Sequence, residues 1–376
     1  MKLIILQENL HQALVQAERF VDSKPQLPVL ANVLLSCKEG AFFVSSTNLE
    51  TGIKLRVGAK IEKEGAITVP AKLLSEVVGS LSPGKINLET EKESLMVSSG
   101  GFRSTLQGIA ASEFPPFPEK TKGAGTKIEK DLLTEVVDKV GFAASTDESR
   151  PVLTGILLSP GTKTSLVATD GYRLSVLTLK GDKSLGLKGQ EDNLLIPSGV
   201  LREAQRSFAN LEEGSVEIEW AKEKKQMFLT LGDNELVTKL LEGDFPDYKA
   251  ILPKENTLET LINKEDLLQA VKLSAVFARE SANIIRWKID NGKLVVSANS
   301  PQVGENQTTL EIEIIEGSSG EIAFNSRYLI DILTRLKGER VRFKMSEALK
   351  PGVFEEEKGE SDFVHIIMPV RVQGEE

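Results

Sequence analysis

The sequence predicts an α+β protein made of three copies of one domain, each with two helices and antiparallel sheets. Three observations carry this. An apolar stripe of one spacing recurs as Leu10, Ala13, Leu14, Ala17 and Val21, as Leu133, Val136, Val137, Val140 and Ala144, and as Leu267, Ala270, Val271, Ser274 and Ala278. A short strand that passes through Pro70, Pro197 or Asn325 into a second helix recurs 127 and then 128 positions on. An acidic-Phe-Pro joint recurs as Glu113-Phe114-Pro115-Pro116-Phe117-Pro118 and Asp244-Phe245-Pro246-Asp247-Tyr248. A fixed period along a whole chain marks a repeated structural unit.

Each element has a local reason. The stripe falls at i, i+3, i+4, i+7 and i+11, which turns one helical face to the core. Paired strands follow: 33–36 with 42–45, 156–158 with 165–167, and 286–289 with 293–296, the last pair joined by Asp290-Asn291-Gly292. Pro or Asn before a small or polar residue suits the start of the second helix. In the joints, proline fixes the backbone and an aromatic ring anchors the linker. These signals set domains at 1–119, 128–252 and 256–376, with a Gly/Lys/Thr linker at 120–126. The acidic run 346–362 is expected as a solvated hairpin loop.

One stretch stands out. In Ala168-Thr169-Asp170-Gly171-Tyr172-Arg173-Leu174, the Asp170-Gly171 turn dipeptide lies between strand-forming residues. It sets Tyr172 and Arg173 side by side at an edge. Asp170 is expected to cap the turn through nearby backbone groups. Related stretches occur at 46–50 and 298–302.

Composition narrows the function. A chain of 376 residues exceeds one ordinary core. With 40% hydrophobic and 27% charged residues it reads as soluble and globular, and no apolar run reaches membrane length. The first six residues are too short and too alternating for a signal peptide, so the expected compartment is cytoplasmic. Cys37 is the sole cysteine, which rules out internal disulfides and cysteine zinc sites. His11 and His365 are the only histidines and lie far apart in sequence, so no metal is expected. A net charge of -9 argues against gripping nucleic acid with a basic face. There is no P-loop, nucleophile elbow or HExxH motif. Two alternatives are a hydrolase using Asp170, Asp247 and Glu113, and a repeat scaffold without DNA. Open repeats usually number more than three and differ at their ends, which weighs against the scaffold.

Four motifs, in order and spread over essentially the whole chain, carry a resemblance: Pro151-Val152-Leu153-Thr154-Gly155-Ile156, the 168–174 turn, Asp244-Phe245-Pro246-Asp247-Tyr248, and Ile366-Ile367-Met368-Pro369-Val370-Arg371. Together they resemble the bacterial replicative sliding clamp family, the beta subunit of DNA polymerase III. The resemblance implies three clamp domains forming half of a closed ring, a homodimer around duplex DNA with helices inside and sheets outside. It implies no catalysis and no cofactor. It also implies partners, namely the replicative polymerase, the clamp loader and other proteins that dock short peptides into one pocket per protomer.

Matched motif by motif, the implied pocket takes Leu153, Thr169, Gly171, Tyr172, Arg173 and Leu174 from the second domain. Pro246 and Ile251 come from the second joint. Asn325, Tyr328, Ile366, Ile367, Met368, Pro369, Val370 and Arg371 come from the third domain. Lys24 and Arg150 fall at loop positions implied to touch DNA, and Arg202 and Arg206 on a lining helix. The implied dimer contact sets Ser104 and Leu106 against Val276 and Phe277. The chain departs from the family where Ser104 replaces a large apolar residue, with Phe102 as compensation. It departs again at 373–376, an acidic tail expected to brush the pocket mouth.

Two quantities agree with the resemblance. Across the six helical windows, 13 basic and 13 acidic residues balance, so the negative excess lies elsewhere and suits a loose sleeve for a polyanion. Helices are about 10 Å wide, so six enclose a hole of roughly 10 Å and twelve one of roughly 30 Å. Two chains are therefore needed to surround a duplex.

Overall fold

Two compact units divide the chain: Met1–Lys130 with Glu203–Leu240, and Asp131–Arg202 with Leu241–Glu376. The structure, a computed structural model, describes residues 1–22, 25–118, 120, 125–160, 163–179, 193–209, 211, 214–221, 224–358 and 362–371. Lys24, most of the expected linker and the acidic tail lie outside the described residues.

In the first unit, a five-stranded antiparallel sheet runs in the order Ala59–Lys63, Lys2–Leu6, Lys85–Glu91, Ser94–Ser99, Phe102–Gln107. An eight-stranded sheet joins two repeats, because Asn234–Lys239 pairs with Thr51–Val57 and sets Val237 opposite Gly52. Helices α1 (Gln7–Ala17) and α2 (Ala71–Gly79) pack on each other. Leu10, Ala13, Leu14 and Ala17 are buried, as the stripe requires. Val21 falls beyond α1, since the 3-10 turn Glu18–Phe20 ends the helix and buries Phe20 in its stead.

The second unit repeats the device. Its nine-stranded sheet pairs Arg173–Thr178 with Asp362–Ile367, setting Leu174 opposite Ile366. A four-stranded sheet runs in the order Gly304–Glu311, Lys293–Ser300, Ile284–Asp290, Ser319–Asn325. Helix α3 is Lys130–Lys139, and α4, Ser198–Phe208, contributes to both units. Helices α5 (Lys264–Ala278) and α6 (Ser326–Leu333) pack together, capped at their starts by Asn263 and Asn325. Val140 and Ala144 are buried but lie past the end of α3, where the chain tightens into a 3-10 turn at Gly141–Ala143.

The acidic run 346–362 is not simply a loop. Gly352–Glu356 is a strand held between Arg340–Met345 and Asp362–Ile367. Phe354 is fully buried, its ring 6.0 Å from Trp287, 5.8 Å from Phe324 and 5.2 Å from Phe343. Gly352 is required there, because a Cβ would lie 2.5 Å from the Phe324 ring. Burying Val353 and Phe354 outweighs the acidic flanks, whose carboxylates are paired: Glu355 with Lys344, Glu356 with Lys139 and Glu357 with Arg340.

Candidate functional site

The 168–174 stretch folds into a turn closed by its own side chains. Asp170 Oδ1 accepts from the backbone N–H of Tyr172 at 2.9 Å and of Arg173 at 3.0 Å. Thr169 Oγ1 accepts from Gly171 N at 3.0 Å and donates to Arg173 O at 2.6 Å. The first repeat builds the same turn: Asn48 Oδ1 takes Glu50 N at 3.0 Å and Thr51 N at 2.7 Å, and Thr47 Oγ1 takes Leu49 N at 3.0 Å. Leu49 and Gly171 occupy the same place with φ of 73° and 93°. The third repeat differs, its strand running on to Ser300. Asp170 is thus a cap, and Asp247 likewise caps the 3-10 turn Tyr248–Ala250, so neither carboxylate stands ready for hydrolysis. No cluster able to hold a metal ion occurs among the described residues.

Arg173 then anchors the turn. Its Nε donates to Asp170 Oδ2 at 3.0 Å, Nη1 to Asp331 Oδ2 at 2.6 Å and Nη2 to Phe142 O at 2.9 Å. Its guanidinium lies 4.7 Å from the Tyr328 ring and 5.3 Å from Phe142. Phe142 also meets Arg335 at 4.5 Å and His365 at 5.2 Å. Tyr172 stacks on Tyr328 at 6.4 Å. The result is a cluster of rings and guanidinium groups in contact, from exposed Tyr172 to buried His365. Burial lowers the Arg335 pKa and raises that of the Tyr328 hydroxyl. Sequence reasoning missed Phe142, Asp331 and Arg335; the contact joins segments far apart in the chain, and no local pattern announces it.

The C-terminal segment lies alongside. Asp362–Ile367 pairs with Arg173–Thr178, Met368 N donates to Tyr172 O at 2.8 Å, and Val370 N donates to Ala323 O at 2.8 Å. Leu174 and Ile366, opposite each other in the ladder, form a buried apolar floor; Leu153 is buried as well, and Ile367, opposite Arg173, is buried on the sheet's other face. Tyr172 at 63%, Ile251 at 40% and Met368 at 37% are exposed. Pro246 is exposed, and Pro369 and Val370 are half-buried. Asn325 is committed to capping α6 through Arg327 N at 2.9 Å. Val370 and Arg371 also line a hollow of about 240 Å³ with Ala348, Leu349 and Arg286. Leu349, an exposed leucine in an acidic run, was the signal for that hollow.

His365 sits beneath this floor, fully buried, with Nδ1 2.8 Å from Ser175 Oγ and Nε2 making no hydrogen bond. Burial first, then the charges of Arg173 and Arg335, push its pKa well below 6.5. The imidazole is therefore neutral when folded, while the unfolded chain takes up a proton below its ordinary value. Stability is full above about pH 6.5 and falls as pH drops below it, by about 1.4 kcal/mol per pH unit from this group. His365→Gln is expected to remove that slope, read as urea midpoints at neutral and mildly acid pH. An unchanged acid dependence in the variant would refute the assignment.

The other expected site residues are dispersed. Arg150 is exposed in a turn, its N–H donating to Asp147 O at 3.2 Å. Arg202 is half-buried and Arg206 exposed on α4, and Lys24 lies outside the described residues. Ser104 and Leu106 sit on the outer strand Phe102–Gln107 of the five-stranded sheet. Leu106 faces inward and is buried in its own unit, which removes it from a contact face; Phe102, on the same side of the strand, stays exposed. On α5, Val276 is 50% exposed and Phe277 half-buried, and Leu273, not anticipated, is exposed one turn earlier.

Comparison with known proteins gives one answer along the whole chain. Residues 1–118, 127–247 and 249–371 match the N-terminal, central and C-terminal domains of the DNA polymerase III beta subunit family. The chain is 31% identical to the beta sliding clamp of Synechococcus elongatus, over 99% of this chain and 100% of that protein. Among solved structures it is similar to the DnaN sliding clamp of Bartonella birtlesii bound to griselimycin, with TM-score 0.90, 28% identity and coverage of 99% and 100%. It is likewise similar to the DNA polymerase sliding clamp of Bacillus subtilis, with TM-score 0.90, 25% identity and coverage of 99% of each chain.

Proposed function

Because the chain belongs to the DNA polymerase III beta subunit family and is a DNA sliding clamp, we propose that two copies close head to tail around duplex DNA. In this reading it catalyses nothing and needs no cofactor. It tethers the polymerase, and receives the clamp loader and other proteins, in the cytoplasm. The domains divide at 1–119, 128–252 and 256–376. No described helix is long and apolar enough to cross a membrane.

The observation that carries ring closure is a pair of unused sheet edges. Phe102–Gln107 ends the five-stranded sheet and Gly304–Glu311 ends the four-stranded one, each with one side unpaired. Open edges invite strand addition, and head-to-tail pairing of two chains covers both kinds at once. Exposed Leu273 and Val276 on α5, with exposed Phe102 on the first edge, supply apolar surface for the contact.

Partner peptides, in the same reading, dock on the rim of Tyr172, Ile251 and Met368 above the floor of Leu153, Leu174 and Ile366. Because Arg173 already has Asp170, Asp331 and Phe142 as partners, it holds the rim in place and is not the group that grips the peptide. Burying about 300 Å² of apolar surface yields about 7 kcal/mol before ordering costs. An isolated peptide then binds at about micromolar strength or weaker, and a partner held on DNA gains the rest from effective concentration. A chain ending after Ile367 is expected to lose binding of a polymerase-derived peptide in calorimetry while keeping its mass in sedimentation. Undiminished affinity would remove the pocket from these residues.

A further inference from the structure

Resting on the reading that α4 faces DNA, we propose that Glu203 limits the clamp's affinity for DNA by holding two arginines away from phosphate. Its Oε2 accepts from Arg19 Nη1 at 2.6 Å, and its Oε1 from Arg206 Nη1 at 2.8 Å. One carboxylate thus ties a residue at the end of the first repeat's helix to one on the second repeat's, inside a single compact unit.

Exposure separates the three. The Glu203 side chain is 20% exposed, whereas Arg206 is 54% and Arg19 39% exposed. The arginines stay open to solvent while the carboxylate is tucked between them. The trio carries a net charge of +1, where two free guanidinium groups would carry +2. A phosphate approaching either arginine meets a partner already in place: the Nη1 group is engaged and the Glu203 charge opposes the anion, so capture through Nη1 would require Glu203 to let go.

A sliding ring needs this restraint. Each phosphate that a protein neutralises releases counterions and adds about 0.9 to the salt slope of binding. Each such contact must also be broken for the ring to move along the duplex. A carboxylate that keeps two arginines half-engaged leaves long-range attraction in place and weakens short-range capture.

The test is Glu203→Gln in the full-length dimer, with a short fluorescent duplex titrated across a salt series and diffusion followed on single DNA molecules. The slope is expected to steepen by about 0.9 or more for each protomer that gains a phosphate contact, with slower diffusion. Glu203→Ala, which removes the acceptor altogether, should steepen it at least as much. Arg206→Ala in the otherwise natural chain is the reference, and it should flatten the slope. If Arg206→Ala flattens it and neither Glu203 variant steepens it, restraint by Glu203 is wrong although α4 still faces DNA. If none of the three changes the slope, the DNA-facing placement of α4 fails and takes the proposal with it.

Discussion

Val276→Asp is expected to turn the dimer into folded monomers. Val276 is half exposed on α5, so the carboxylate has water around it in a lone protomer and folding proceeds. At a closed interface the same group is desolvated without a cation opposite it. An unpaired charge in that position costs about 3–5 kcal/mol, which weakens association by roughly two to four powers of ten. Leu273→Asp, one turn earlier on α5, should act the same way. Sedimentation should show half the mass with an unchanged circular dichroism spectrum, and DNA retention should fall because an open half-ring slips off. A variant that keeps the dimer mass would place the interface elsewhere. Val276 serves better than half-buried Phe277, where a charge would also disturb the protomer's own packing.

Lys139→Met is expected to have the largest effect on stability. Lys139 is buried at the end of α3, its Nζ 2.9 Å from Glu356 and 3.2 Å from Glu135, and 5.4 Å from the Phe363 ring. Glu356 is buried too, and also accepts from Lys337 N at 2.9 Å. Removing the ammonium leaves a carboxylate in a poorly solvated place, at a cost of about 3–5 kcal/mol. Glu356→Gln added to Lys139→Met should recover much of that loss, because no uncompensated charge remains. Urea unfolding followed by Trp287, in a Trp220→Phe background, reads this unit alone. If the double variant is no more stable than the single one, the loss comes from packing and not from charge.

Much of the fold was legible because its cause is local. Helical stripes, the asparagine cap at Asn325 and the Asp170 turn each need only a few neighbouring residues, and the structure shows them in place. Helix ends were less legible. Val21 and Val140 continue the apolar spacing past the helix ends, where 3-10 turns take over: Phe20 is buried in place of Val21, and Val140 is buried just before its turn. The strand at Gly352–Glu356 was hidden because acidic residues surround two apolar ones, and the rings of Trp287, Phe324 and Phe343, distant in sequence, give Phe354 its place.

The pocket shows the same limit. Strand alternation puts Leu174 and Ile366 on one face and sends Ile367 to the other. The cluster of Phe142, Arg173 and Tyr328 depends on which strands and helices are brought together, and so does the pair of Lys139 and Glu356. Leu106 misled for a related reason: within Phe102–Gln107 the strand alternates, and alternation alone does not say which face a partner would cover.

The strand Asp362–Ile367 is clasped on both sides, by Arg173–Thr178 over its whole length and by Gly352–Glu356 toward its end. Met368 and the rim of the pocket begin where it stops. Tension delivered at that point and directed along the strand is taken in shear, shared among the hydrogen bonds of two ladders that must slip together. The same tension applied across the strand would peel the bonds one at a time. In the proposed reading, a partner that pulls at this attachment therefore pulls on a lap joint, and the direction of the pull decides whether the joint holds or unzips.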